Sequence, residues 1–225
     1  MPSAKKTKIV ATLGPATSTK SVLRDMILAG VNVFRINFSH ADYSDVSARI
    51  KMIRELNDEL GVYTSILADL QGPKLRVGVM EEGIVVAPGD QVTFATGAPF
   101  VGTATRAYMT YDSFPQDVKV GEKVLLDDGK LLFEVVSTNG KDEVVTKVVQ
   151  GGPLKSKKGV NLPNTKISLP ALTEKDIEDA IFAIGEKVDW IALSFVRFSQ
   201  DLKDLQELIA KHTDLKIPIV SKIEK

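Results

Sequence analysis

Phe34-Arg35-Ile36-Asn37-Phe38-Ser39-His40 is the stretch on which the reading of the whole chain turns. With Val31 and Val33 before it, its β-branched and aromatic density is that of a strand buried on both faces. Arg35, Asn37, Ser39 and His40 interrupt that strand with hydrogen-bonding side chains. An unpaired polar group in a dry site costs about 1 to 3 kcal/mol, and a lone charge more, so these four need partners. Either Arg35 closes a structural ion pair as the strand leaves the core, or the cluster converges on an anionic ligand.

Outward toward the N-terminus, residues 8–13 form a short apolar strand stopped by Gly14 and Pro15. The helix that follows is capped by Ser18 or Thr19, has Val22, Leu23, Met26 and Ile27 on one face, and has Gly30 at its C-terminal end. On the other side, Asp42 caps a helix whose Val46, Ile50, Ile53 and Leu60 recur at helical spacing. Residues 63–69 are a third strand, ending in the carboxylate of Asp69. Strand, helix, strand, helix, strand predicts a parallel sheet with right-handed crossovers.

At Gly72 and Pro73 the texture changes. Residues 73–168 have no helical periodicity but several short β-rich runs, with turn signals at 88–90, 128–129, 139–140 and 151–153. The Asp-Gly and Asn-Gly pairs among them are strong hairpin signals. This predicts a small antiparallel barrel or sandwich inserted into an α/β domain. Afterwards the first pattern resumes. Thr173 and Asp176 open a helix that Gly185 ends. Residues 188–195 are a fourth strand, Ser199 caps a further helix, and residues 217–224 are a fifth strand. The expected division is barrel domain over 1–72, inserted β domain over 73–168, and barrel domain again over 169–225.

Composition limits what this architecture can do. At 225 residues, 44% hydrophobic and 26% charged, the chain has the makeup of an ordinary globular protein. Lys plus Arg equals Asp plus Glu, 29 each, so no overall field favours nucleic acid or an anionic membrane. No run approaches the roughly 18 apolar residues of a membrane span, and Met1 to Lys6 lead into no secretory apolar region. Without cysteine there are neither disulfides nor thiolate metal sites, and the expected location is cytoplasmic.

A parallel sheet of this kind places ligands at the C-terminal ends of its strands. There the second strand carries Arg35, Asn37, Ser39 and His40, the third Asp69, the fourth Ser194 and Arg197, and the fifth Lys222 and Glu224. Lys222 and Glu224 are two apart, so on a strand they leave the same face. They are either a buried ion pair, or a hard-cation ligand beside a lysine clamp for an oxyanion or phosphoryl group. In the second case Arg35 holds the same anion from across the sheet. No Walker lysine loop or G-x-G-x-x-G is present.

Five motifs, at residues 9–15 (IVATLGP), 34–40 (FRINFSH), 69–76 (DLQGPKLR), 157–163 (KKGVNLP) and 221–224 (SKIE), resemble those of pyruvate kinase in order and spacing. The resemblance runs the whole length, and the β insertion falls where that family carries its mobile lid. It implies a partial TIM-type (β/α) barrel with an inserted all-β lid. The implied reaction is phosphoryl transfer from phosphoenolpyruvate to ADP, giving ATP and pyruvate, the last step of glycolysis. By matching motifs, Lys222 stabilises the phosphoryl group and Arg35 holds the substrate phosphate. Ser194, at the end of the fourth strand and outside the five motifs, is expected to border the same substrate. Glu224 binds Mg²⁺ or Mn²⁺. Arg76 and Lys158 reach the nucleotide phosphates, and Asn37, Phe38, Ser39 and His40 border the nucleotide. Asn37, Ser39, Asp69 and the carbonyl of Leu70 match the monovalent-cation ligands.

Two departures qualify these expectations. Lys74 stands where potassium-dependent members of the family typically have glutamate, so its ammonium replaces the charge of K⁺ and K⁺ becomes dispensable. The second is length, because the non-inserted part is about half of the roughly 250 residues of a complete barrel. The expectation is therefore a truncated chain, not fully active alone, and a homo-oligomer, tetrameric in the family, at full length. Two other classes fit parts of the pattern. A non-enzymatic anion- or nucleotide-binding fragment keeps Arg35, Arg76 and Lys158. A metal-dependent aldolase-like barrel explains Lys222 and Glu224 but not the placement of the insertion.

Overall fold

The computed structural model describes residues 6–223, which form two compact units. One comprises residues up to Pro73 together with those from Pro170 onward, and the other comprises Lys74–Leu169.

In chain order, the first unit opens with β1 (Val10–Thr12), α1 (Lys20–Leu28), β2 (Val33–Asn37), α2 (Tyr43–Leu60) and β3 (Ser65–Asp69). The second unit holds β4 (Val85–Val86), β5 (Gln91–Ala95), β6 (Arg106–Tyr108), α3 (Phe114–Asp117), β7 (Lys123–Leu126), β8 (Leu131–Thr138), β9 (Glu143–Gln150), β10 (Gly152–Pro153) and β11 (Val160–Asn161). The chain then returns to the first unit with α4 (Glu174–Gly185), β12 (Trp190–Leu193), α5 (Ser199–His212) and β13 (Ile219–Ser221).

The first unit is a five-stranded sheet in the order β1-β2-β3-β12-β13, with every pairing parallel. It is a partial (β/α) barrel. Local chemistry sets most of its helix ends. The Thr19 hydroxyl accepts from the Val22 amide at 3.4 Å, and Asp42 Oδ1 accepts from the amides of Ser44 and Asp45. Thr173 and Asp176 form a capping box on α4. Gly185 ends α4 as expected, with Lys187 in the left-handed conformation beyond it, at φ 56°. One helix start differs from expectation. Ser199 does not cap α5. Phe198 occupies the cap position, and Asp201 Oδ2 accepts from the amides of Arg197 and Phe198, both at 2.9 Å. A carboxylate accepting two amides outcompetes one hydroxyl.

Burial also corrects the reading of β2. Only Phe34 and Ile36 of this strand are buried, together with Phe38 just beyond it, and they face α1, α2, α4 and α5 in one core with Leu23, Ile53, Ile66 and Leu205. Val33, Arg35 and Asn37, on the opposite face, are half-buried. β1 and β13 lie at the sheet's edges and expose apolar side chains, Val10 at 54% and Val220 at 37%.

The second unit is built around a six-stranded sheet, β11-β7-β8-β9-β5-β6, with β4 and β10 paired separately. It is antiparallel except that β5 and β6 run parallel, which the hairpin signals could not reveal. Residues 75–80 bond on one side to residues 158–160 and on the other to 108–110, joining the two ends of the sheet. Phe94, Phe114 and Phe133 meet edge to face in its core. Phe114 comes from the single turn of α3, an element too short to leave a helical period in the sequence.

Candidate active site

The C-terminal ends of the parallel strands bring distant residues into one hydrogen-bonded chain. Register places Thr12 beside Arg35 and Asn37 beside Asp69, which in turn neighbours Ala192. Arg35 Nη1 donates to Thr12 Oγ1 at 2.9 Å. Its Nε donates to Asp69 Oδ2 at 2.6 Å, and its Nη2 lies 2.5 Å from the same oxygen. Lys222 Nζ takes the other oxygen, Oδ1, at 3.0 Å and donates to Ser194 Oγ at 2.9 Å. Ser194 Oγ donates to the Leu70 carbonyl at 2.6 Å.

The electrostatics follow from this count. One carboxylate, 4% exposed, lies between two cations that keep 31% and 29% of their side chains open. The cluster carries a net positive charge, its anion buried and its cations partly accessible, which suits an arriving anion. Lys222 therefore has Asp69 and Ser194 as partners. Glu224, the partner and metal ligand expected from spacing, lies outside the described residues.

Around this cluster the turn Phe38–His40 follows β2, with the Ser39 amide bonded to Asn37 Oδ1 at 3.1 Å. Asn37, Ser39, Asp69 and the Leu70 carbonyl, the expected monovalent-cation ligands, are all oxygen donors, a set suited to a hard cation. Among the described residues no three His, Cys, Asp or Glu gather as a metal cluster.

Beyond Leu70, Gly72 is held at φ 67° with its amide donating to the buried Asp176 at 3.0 Å. A Cβ there would lie 2.8 Å from the Phe195 ring and 3.0 Å from Ser194 Cβ. Sequence reasoning passed over Thr12, although it is the polar side chain at the C-terminal end of β1, where the strand-end rule points. It also passed over the tie between Asp176 and Gly72, which nothing local signals.

In the second unit Arg76 and Lys158 are brought near each other, because Arg76 bridges to Gly159. Arg76 Nη1 donates to the Lys157 carbonyl at 2.7 Å, and Lys158 Nζ pairs with Asp127 Oδ1 at 2.8 Å. Lys158 and then Lys130 hold the Asp127 carboxyl below its usual range. Lys158 is thus a partnered lysine that stays partly open to solvent. Lys74, at the start of this unit, also has interaction partners.

A sequence model of the family described as "Pyruvate kinase, barrel domain" matches residues 4–225. The chain belongs to the pyruvate kinase family. It is 45% identical over 222 residues to "Pyruvate kinase" of Bacillus licheniformis, covering 98% of this chain and 38% of that protein. It is 44% identical to "Pyruvate kinase 2" of Synechocystis sp., covering 100% of this chain and 38% of the relative. "Pyruvate kinase" of Clostridium perfringens is 39% identical, with 97% and 46% covered. The chain therefore spans less than half the length of these relatives. The match to the pyruvate kinase barrel domain is continuous, so the inserted β unit and the parallel sheet on either side of it all fall within the matched residues.

Proposed function

We propose that this chain is the part of a pyruvate kinase that transfers the phosphoryl group of phosphoenolpyruvate to ADP, giving ATP and pyruvate in the cytoplasm. The observation that supports this reading is the pair of partly exposed cations, Arg35 and Lys222, on one buried carboxylate. Phosphoryl transfer asks a protein mainly for positioning and for charge placed where negative charge develops.

Arg35 is oriented by Thr12 and Asp69 and would hold the substrate phosphate. Lys222 is aimed by Asp69 and Ser194 and would stabilise the phosphoryl group as it moves, with Ser194 beside the same substrate. Asn37, Phe38, Ser39 and His40 in the first unit, and Arg76 and Lys158 in the second, are the proposed nucleotide contacts. A divalent cation, Mg²⁺ or Mn²⁺, would supply charge to the phosphoryl oxygens, with Glu224 as a ligand by family resemblance. By family resemblance, Asn37, Ser39, Asp69 and the Leu70 carbonyl would hold a monovalent cation, whose role Lys74 would take over. The full-length protein would be a homo-oligomer.

Phosphoenolpyruvate-dependent ATP formation by the protein as its source makes it, followed by a luciferase readout, tests the reading. ATP formation that needs both phosphoenolpyruvate and ADP supports it. Nucleotide binding without turnover would put the non-enzymatic binding alternative in its place.

A further inference from the structure

The start of α4 grips the turn that follows β2. Lys175 Nζ donates to the Phe38 carbonyl at 3.1 Å and to Asp179 Oδ2 at 2.6 Å. The Asp179 side chain is fully buried, and its other oxygen accepts the Tyr43 hydroxyl at 2.8 Å. The Tyr43 ring stacks on Phe182, with centroids 4.2 Å apart and planes at 7°. Phe182 in turn meets Phe38 edge-on at 6.2 Å. The segment from Phe38 to Tyr43 is therefore fastened at its entry by an ammonium on a backbone carbonyl and at its exit by a tyrosine held on the same helix.

Ser39 and His40 lie between those anchors. A three-residue 3₁₀ turn has little internal bonding with which to fix its own geometry, so its position comes from what it is tied to. A carbonyl accepting from an ammonium makes a bond roughly twice as strong as a neutral one. Burial, and then Asp179, pushes the Tyr43 hydroxyl up to about 12, so it stays a proton donor at neutral pH.

We propose that Lys175 is a positioning residue that sets the turn carrying Ser39 and His40, and through that turn the affinity of the nucleotide site. The nucleotide half rests on the pyruvate kinase reading above, and the fastening of the turn does not.

Hydrogen exchange read by mass spectrometry tests the fastening directly, in Lys175→Met and Lys175→Arg. Exchange in the peptide spanning residues 38–43 is expected to rise about tenfold in Lys175→Met, with peptides of α1 and β12 unchanged, and to return toward wild type in Lys175→Arg. Wild-type exchange in that peptide, or an equal rise in every peptide of the unit, overturns the proposal. If Lys175→Met does not fold, Tyr43→Phe removes only the exit anchor and is expected to raise exchange in the same peptide. In the active protein, Lys175→Met is expected to raise KM for ADP about 10- to 100-fold with KM for phosphoenolpyruvate within about twofold. A wild type that makes no ATP from phosphoenolpyruvate sinks the kinase reading, while the exchange result still decides Lys175. An active wild type whose KM for ADP is unchanged in Lys175→Met sinks this inference alone.

Discussion

Asp69 and Lys222, 153 residues apart in sequence, meet at 3.0 Å, and the carboxylate oxygen that Lys222 leaves is occupied by Arg35. A single buried anion thus fixes the two cations proposed to act on substrate. It sets their separation and keeps their repulsion from opening the strand ends.

Removing that anion is expected to destabilise the fold. Asp69→Ala leaves two cations facing each other without their counter-charge. The cost is about 2 to 4 kcal/mol, at or below the usual figure for breaking a buried pair because both cations reach water. A lower urea midpoint at unchanged slope checks it. A midpoint equal to wild type would mean that solvent already screens the cluster.

Lys222→Ala separates chemistry from stability. Asp69 keeps Arg35, and Ser194 keeps the Leu70 carbonyl, so the strand ends remain bonded. Deleting one preorganised donor is expected to lower kcat by about 10² to 10³ while the circular dichroism spectrum and unfolding midpoint stay near wild type. Wild-type turnover in this variant would remove Lys222 from the proposed mechanism.

Lys74 carries a prediction about cations. If its ammonium stands in for a monovalent ion, replacing Na⁺ by K⁺ at fixed ionic strength leaves the turnover of the whole protein nearly unchanged. Lys74→Glu then becomes K⁺-dependent. Initial rates in the two salts measure both, and a large activation of wild type by K⁺ would overturn the assignment.

Sequence and structure agree most where the controlling interaction is local. The caps at Thr19, Asp42 and Thr173 bond to amides two or three residues away, so residue type and spacing suffice. The paired strands are shorter than their apolar runs, because apolar character begins before pairing does. Tyr63, within the expected third strand, is 97% exposed, and the first bond across to the β2 side is from the Ser65 amide to the Asn32 carbonyl. The strand-end rule located Arg35, Asp69, Ser194 and Lys222 as candidates. It could not say that Lys222 would meet Asp69, because that pairing depends on which strands lie side by side. The grip of Lys175 on Phe38 is invisible for the same reason, since it joins residues 137 apart.

Gly72 is predicted to be intolerant of a side chain for two separable reasons. Its φ of 67° is strained for any L-residue, and an added Cβ would meet Phe195 at 2.8 Å and Ser194 at 3.0 Å. Gly72→Ala is expected to cost about 2 kcal/mol or more, since the left-handed conformation alone costs about 1 kcal/mol before the clash is relieved. Calorimetry should register a Tm lower by several degrees. If the neighbours move to relieve the clash, Ser194 shifts with them, and activity should fall along with stability.

Asp127 predicts an acid-side pH dependence for the inserted unit. Its hydrogen bonds from Lys158 and Lys130 hold the folded-state pKa below the unfolded value of 3.8. The unfolded chain therefore binds the proton more readily in this range, and the stability contributed by Asp127 is fully present above about pH 4 to 5 and lost as pH falls through the lowered value. Asp127→Asn removes the titrating group, so the part of the acid-side slope due to Asp127 should disappear. Denaturation midpoints measured between about pH 2.5 and 6 on both proteins check the sign. The same variant frees Lys158 from an ion pair that a nucleotide phosphate would otherwise have to displace. Its affinity for ADP is therefore expected to rise, or at least not to fall, even as the unit becomes less stable near neutral pH. A fall in ADP affinity would mean that Asp127 aims Lys158 at the phosphate and does not compete for it.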